Sequence, residues 1–418
     1  MKKTLKLVVL FFALRATMAV AQAVPAAKIQ GLSVSGNLHY SFRYSQIAAF
    51  GSGLGDWQMS TASASADYAN GKNRFPFSLT YGGGYIWTIA GPSYDSGLFQ
   101  HLFLSQSIVG RKWNVVASDN ISYLPEAPTT GFTGIPGIGE PIGVPNPAPP
   151  SGQSILTVST HVVDNNTLGE LERNVSRATT FSTGASYYFF RYPDGNGINT
   201  NTTAANAGLT WRLNARNSLM GNYLFSQFSF PDYNFSMTTT SGTLGFQRAW
   251  NRKITTNISA GPQWLSSSQS ATVPSSLGVV ANVAVNYQYQ LDSASLVYFH
   301  GIIGGAGYFL GAKLDRVGVN FSREFGRDLT VGADASYMRT ASLGNGGLLG
   351  YSGVFNAEFA GVQATRHLGR HFSAFANYQV IVQSSSSAAA VPVNVLNQLL
   401  QVAGFGIDYS PQGRHLRQ

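Results

Sequence analysis

Chemistry in this 418-residue chain has to be sought where ionisable side chains could gather. Asp334 and Glu358 fall on neighbouring predicted strands, both expected to face a common interior. There they would attract cations or, more simply, pair with arginines or water. Glu126 and Glu140 are the charges of a long Gly/Pro-rich segment, 125–153, where a carboxylate beside a narrow passage would favour cations. Asp164 stands alone. The seven histidines show no close pair on one strand face and cysteine is absent, so neither a transition-metal site nor a disulfide is expected. Calcium would need clustered carboxylates, which the loops lack. Gly82-Gly83-Gly84 and Gly304-Gly305 precede no helical pattern and read as bulge and loop glycines rather than phosphate cradles, so no cofactor is expected. His39, His101 and His300 read as wall or interface residues. These residues point to polar spots on a wall and to no catalytic centre.

The elements that carry them repeat with a period of two. From Leu32 to Tyr44 one parity reads Leu32, Val34, Gly36, Leu38, Tyr40, Phe42, Tyr44, and the other Ser33, Ser35, Asn37, His39, Ser41, Arg43. Phe75–Ile89, Leu277–Tyr289, Leu329–Tyr337 and Phe372–Val382 repeat the theme. Alternation also suits a soluble sandwich. However, these strands run to roughly 10–15 residues, and a bilayer needs about 9–11 tilted ones. Their apolar parity ends in aromatics, as interface girdles require, against a parity of Ser, Thr, Asn and Gln. Short polar turns are expected near Asn70–Arg74, Gly110–Lys112, Asn174–Arg177, Asn214–Asn217, Asn251–Lys253, Leu291–Ser293, Phe325–Asp328 and Leu368–Arg370. Nine longer Gly/Ser/Pro-rich connections alternate with them. The result is an all-β, antiparallel up-and-down transmembrane barrel of about 18 strands, with 16 as the alternative because strand six, near Leu156–Arg173, alternates poorly.

Composition agrees. Charged residues are 11% of the chain, against about 25% in soluble domains, as suits a broad lipid-facing belt. No run of about 18 apolar residues provides a helical span. Lys2, Lys3 and Lys6, the apolar run Leu7–Leu14 and Ala19-Val20-Ala21 form a tripartite signal peptide over 1–21. Losing Lys2, Lys3, Lys6 and Arg15 takes the net charge from +9 to +5, with no basic stripe for nucleic acid. A short segment 22–31, a barrel 32–410 and a tail 411–418 complete the division. The cations Lys72, Arg74, Arg111, Lys112, Arg177, Arg216, Arg252, Lys253, Arg327, Arg366 and Arg370 gather at the turn rim, where anchoring at lipid phosphates is the preferred reading over a docking face.

Gly404-Phe405-Gly406-Ile407-Asp408-Tyr409 resembles the C-terminal assembly signal of outer-membrane proteins, with Gly404, Ile407 and Tyr409 as its defining positions. It departs from that pattern in having Val402 two before the glycine and a tail after the aromatic. With the signal peptide, the mature chain is similar throughout to porin-like outer-membrane barrels. That resemblance implies the bacterial outer membrane, its lipids and its assembly machinery as partners, and small polar solutes passing through. A homo-oligomer is left open. A barrel of 16–18 strands leaves an aqueous channel unless plugged, so a pore with a polar, largely uncharged lumen is expected. The rival readings are an export or surface-assembly barrel and a structural or adhesive one. His371-Phe372-Ser373 with Asn377 resembles the His-x-Ser and Asn of outer-membrane phospholipases. It lies at a predicted turn without the surrounding family residues and reads as a polar turn. In general porins, which the chain resembles, the third external loop folds inward. The segment 125–153 occupies that place and carries Phe132, Ile135, Ile138, Ile142 and Val144, so it is expected to narrow the channel.

N-terminal sequencing of the membrane-purified protein should therefore begin at Gln22 or Val24. An intact Lys2–Arg15 would overturn this processing.

Overall fold

The computed structural model describes residues 32–48, 57–70, 74–90, 96–126, 155, 160–195, 197–305, 307–344, 353–386 and 399–410. The signal, the segment 22–31, the tail 411–418 and nearly all of 125–153 lie outside them. The strands are β1 (Leu32–Ala48), β2 (Trp57–Asn70), β3 (Phe77–Ala90), β4 (Gly97–Val109), β5 (Trp113–Glu126) and β6 (Thr160–Asn174). They continue as β7 (Thr179–Arg191), β8 (Thr200–Arg212), β9 (Asn217–Phe230), β10 (Phe235–Ala249), β11 (Ile254–Ser267) and β12 (Ser276–Tyr289). The last six are β13 (Asp292–Ile303), β14 (Ala312–Phe325), β15 (Leu329–Ser342), β16 (Val354–His367), β17 (Phe372–Ser385) and β18 (Leu399–Tyr409). Together they form one 18-stranded sheet in which each strand pairs antiparallel with its chain neighbours.

The sheet closes on itself. β1 pairs with β2 and also with β18, in register from Leu38 opposite Tyr409 to Ala48 opposite Leu399. No helix of the described residues is long and apolar enough to cross a membrane; the strands do the crossing. An open edge in hydrocarbon would leave each unpaired N–H and C=O at a cost of several kcal/mol, and closure removes it. The aromatic Phe42–Phe405 contact, 5.4 Å between ring centres, covers this seam from outside.

Because side chains alternate between faces, the cross-strand pairs assign every strand an inward and an outward set. Leu244, Leu277 and Phe405 are 80%, 67% and 60% exposed on the outside. At the turn rim Lys253 Nζ lies 3.2 Å from the Tyr289 ring centre and the Arg248 guanidinium 4.1 Å from that of Trp250. Cations over girdle aromatics fit the anchoring reading of the basic rim. Gly261-Pro262 is accommodated by a local break: Gly242, Thr243, Gly261 and Pro262 are absent from the β10–β11 ladder. A Cβ at Gly261 would stand 1.9 Å from the Gly242 carbonyl oxygen.

Eighteen strands replace the alternative of sixteen, and strand six starts at Thr160 rather than near Leu156. Its poor alternation has a physical cause. On its outer face Asn165 Nδ2 and Thr167 Oγ1 donate to Asp119 Oδ1 of β5 at 3.0 and 2.6 Å, while apolar Val162 and Leu168 share the inward face with Asp164. A hydrogen-bonded polar network on the lipid side blurs the sequence pattern.

Val283 belongs to the outward set of β12, paired with Ile258 and Tyr298, and Asn282 to the inward set, paired with Ser259 and Phe299. Val283→Arg should cost about 2–4 kcal/mol in lipid refolding titrations and Asn282→Arg clearly less. Equal losses would contradict this register.

Candidate functional site: the barrel lumen

The inward faces differ between the two ends of the barrel. Towards the turn rim, Asn222, Gln247, Asn257, Asn286 and Gln288 are exposed to the lumen, a hydrophilic vestibule. Towards the loop rim the same faces carry large apolar side chains. Leu314, Met338, Phe355, Phe359, Ile381 and Leu400 of β14–β18 form one buried cluster. Phe228, Phe230, Phe235, Met237 and Leu265 of β9–β11 form another. The lumen is thus not polar throughout, which corrects the expectation from the alternating parities. Alternation reports which face a residue takes, while height along the strand decides what that face meets.

The connection between β13 and β14 folds into this region. Tyr308, Phe309 and Leu310 are buried there, and the Phe309 ring lies 5.8 Å from that of Phe355. Tyr188, Phe190, Tyr192 and Tyr308 form a chain of rings with centre distances of 6.3, 5.0 and 6.2 Å. The turn depends on glycine: Gly305 has φ +90°, and a Cβ there would stand 1.8 Å from the Phe309 carbonyl oxygen. The backbone N–H of Phe309 donates to Gly305 O at 2.8 Å, and that of Ile198 donates to Gly307 O at 2.7 Å. The loop is thereby pinned to the β7–β8 connection across the lumen.

The third external loop was the expected constriction. Its described member, Ile155, is fully buried in the cluster of β14–β18, while 127–154, Glu140 included, lie outside the described residues. Glu126 is the last residue of β5, opposite Thr160, and its side chain lies outside the description. The inward loop that sequence reasoning missed is the seventh. Its signal was present as Tyr308-Phe309-Leu310 framed by Gly304, Gly305, Gly307 and Gly311, an apolar triad in a segment able to turn sharply.

Asp334 faces the lumen as expected, opposite Asn320 and Gly361. Glu358 does not. It pairs with Tyr337 in the outward set, because an odd offset between the two positions in the β15–β16 register puts them on opposite faces. The outer wall near the loop rim instead gathers His300, whose Nδ1 lies 2.5 Å from Asp315 Oδ1, with Arg339 Nη1 3.8 Å from Asp315 Oδ2. His300 is thus the wall residue expected. His371 and Ser373 do not form a nucleophile pair: His371 Nδ1 bonds the Ser410 carbonyl at 2.9 Å, and Ser373 is inward opposite Asp408. Of the assembly-signal positions, Ile407 is 50% exposed on the outside, opposite Tyr40. Gly404 turns inward beneath Asn377, whose Oδ1 lies 2.4 Å from where a Cβ would stand. Among the described residues no group of three His, Cys, Asp or Glu is placed to hold a metal.

The class this geometry defines is a closed, antiparallel 18-stranded β-barrel with an apolar outer belt. No family model matches the chain, and no curated protein matches it. Solved structures of similar architecture include Pseudomonas aeruginosa OccK2 (OpdF), at 12% identity and TM-score 0.48, covering 93% of this chain and 100% of that one. The same protein in complex with glucuronate matches at 12% identity and TM-score 0.47, covering 91% and 99%. Acinetobacter baumannii OccAB3 matches at 10% identity and TM-score 0.45, covering 90% and 99%.

The loop after β7 is clasped to β6. Burial alone would raise the Asp194 carboxyl, but the His161 backbone N–H at 3.0 Å, its ring Nδ1 at 2.6 Å and its charge together hold it below the usual carboxylate range. A group lowered on folding contributes stability above its unfolded pKa and loses it as pH falls through the folded one. Protease protection of 192–199 should therefore be full at neutral pH and fall on acidification below the usual carboxylate range. Asp194→Asn should flatten that profile, and an identical profile in the variant would remove the clasp.

Proposed function

We propose that the chain is a pore of the bacterial outer membrane through which small polar solutes diffuse passively. The single observation that carries this reading is the closed barrel's double wall: a belt of exposed apolar and aromatic side chains outside, and inside a vestibule of Ser, Thr, Asn and Gln leading to a zone of packed apolar side chains near the loop rim. Water and solutes gain from the inner wall what lipid gains from the outer one, and no covalent chemistry is required of either. The turn rim faces the periplasm and the long loops face out. Solutes pass that apolar zone beside Tyr308 and Phe309 before entering the vestibule, and size there sets the upper limit. Insertion by the assembly machinery through Gly404, Ile407 and Tyr409 belongs to the same reading.

Refolded full-length protein should give discrete conductance steps in planar bilayers. Removing the ring pair, Tyr308→Ala with Phe309→Ala, should raise the step size while the barrel keeps its heat-modifiable gel migration. Large-to-small changes of this kind cost about 3–5 kcal/mol for a buried Phe, which a closed 18-stranded sheet tolerates because the lost contacts are in a loop. Absence of steps from protein that migrates as a folded barrel would rule out the pore.

A further inference from the structure

β4, β5 and β6 bring His101, Ser122 and Asp164 into one inward row, since His101 is opposite Ser122 and Ser122 opposite Asp164. Asp164 in turn is opposite Phe190 of β7. The Ser122 hydroxyl donates to Asp164 Oδ1. In the next inward row towards the turn rim, Asn166 is opposite Tyr188, and Ser118 of β5 follows one row further. His101 and Ser118 are 7% and 3% exposed, and His101 Nδ1, Ser118 Oγ and Asn166 Oδ1 have no hydrogen-bond partner among the described residues. Buried polar atoms on an inward wall, left without partners, call for a visitor that supplies hydrogen bonds. The patch is rich in acceptors: a carboxylate and an amide oxygen, with a hydroxyl and an imidazole nitrogen able to accept. Beside it stand the stacked rings of Tyr188 and Phe190, whose π faces favour positive charge.

We propose that this inward face of β4–β7 is a binding station for the ammonium or guanidinium head of a cationic solute. The proposal rests on the pore reading and names the class of solute. Such a head brings several N–H donors and a charge, so it can satisfy Asp164 and Asn166, one inward row apart, while lying against the rings. A neutral polyol supplies donors without the charge, and an anion is repelled. The route onward is marked on the same strand. Glu170 and Glu172 share the inward face of β6, starting roughly 20 Å from Asp164 at about 3.3 Å per residue. Neither has an ion-pair partner among the described residues. Arg316, the cation of the inward face of β14, stands eight strands away in the sheet order, nearly across the barrel. Asp164, Glu170 and Glu172 thus give the β6 wall three inward carboxylates along one strand.

The test uses the full-length channel in planar bilayers with gradients of potassium chloride and guanidinium chloride. The wild type should be cation-selective, and methylguanidinium added on the loop side should reduce the potassium current. Asp164→Asn should lower the guanidinium-to-potassium permeability ratio roughly three- to tenfold while the potassium conductance persists. Glu170→Gln with Glu172→Gln, outside the station, should lower cation-over-anion selectivity and leave the methylguanidinium block in place. Anion selectivity of the wild type, lack of block, or an unchanged ratio in folded Asp164→Asn overturns the station and leaves the pore standing. If Asp164→Asn does not refold, the wild-type block decides. A wild type that conducts no ion overturns the pore reading and the station with it.

Discussion

Everything in this molecule depends on the backbone pairing between β1 and β18. In water an unpaired strand edge can turn to solvent; in hydrocarbon it has nowhere to turn. Once the last strand meets the first, every strand has two neighbours and every residue is assigned to one of two faces. The register Leu38–Tyr409 fixes the faces at the seam, and the remaining ladders carry the same parity around the sheet. The glycines Gly404 and Gly406 serve this closure directly. Asn377 lies over the first and the Phe375 ring over the second, and at both positions a Cβ would collide.

The two faces then obey different solvents. Outside, Leu, Val and aromatic side chains remain exposed at levels that would condemn a water-soluble protein to aggregation, and several of the polar exceptions are tied up. Asp119 holds Asn165 and Thr167 within its own wall, and Asp315 holds His300 and reaches Arg339. Inside, the wall is wet near the turns and apolar near the loops. That gradient explains how a wide barrel can be narrowed without an inserted domain. The side chains of β9–β11 and β14–β18 provide the packing surface, and Tyr308-Phe309-Leu310 complete it.

Loop geometry and wall chemistry therefore act on different properties. The seventh loop and Ile155 set how much of the cross-section is filled, through apolar packing that is indifferent to charge. The β4–β7 wall sets which charge is welcome, through Asp164, Ser122 and the aromatic pair beside them. The two meet where the ring chain Tyr188–Phe190–Tyr192–Tyr308 joins the β7 wall to the seventh loop.

By itself the sequence determined the alternating up-and-down architecture, the places of the short turns and the orientation of strands such as β3 and β12, while leaving the strand count between sixteen and eighteen. A period of two is a local property, and the solvent on each side imposes it residue by residue. It also located Asp334 on the inside. It could not place Glu358, because a single-residue offset in pairing flips a side chain to the opposite face and that offset is visible only in the β15–β16 ladder. Nor could it recognise the row of His101, Ser122 and Asp164, whose members lie far apart in the chain and meet only through two successive registers. The apolar zone was hidden for a related reason. An inward Phe reads as a pattern error until the fold shows that loop residues from elsewhere in the chain cover it, and that pairing is decided by tertiary packing alone.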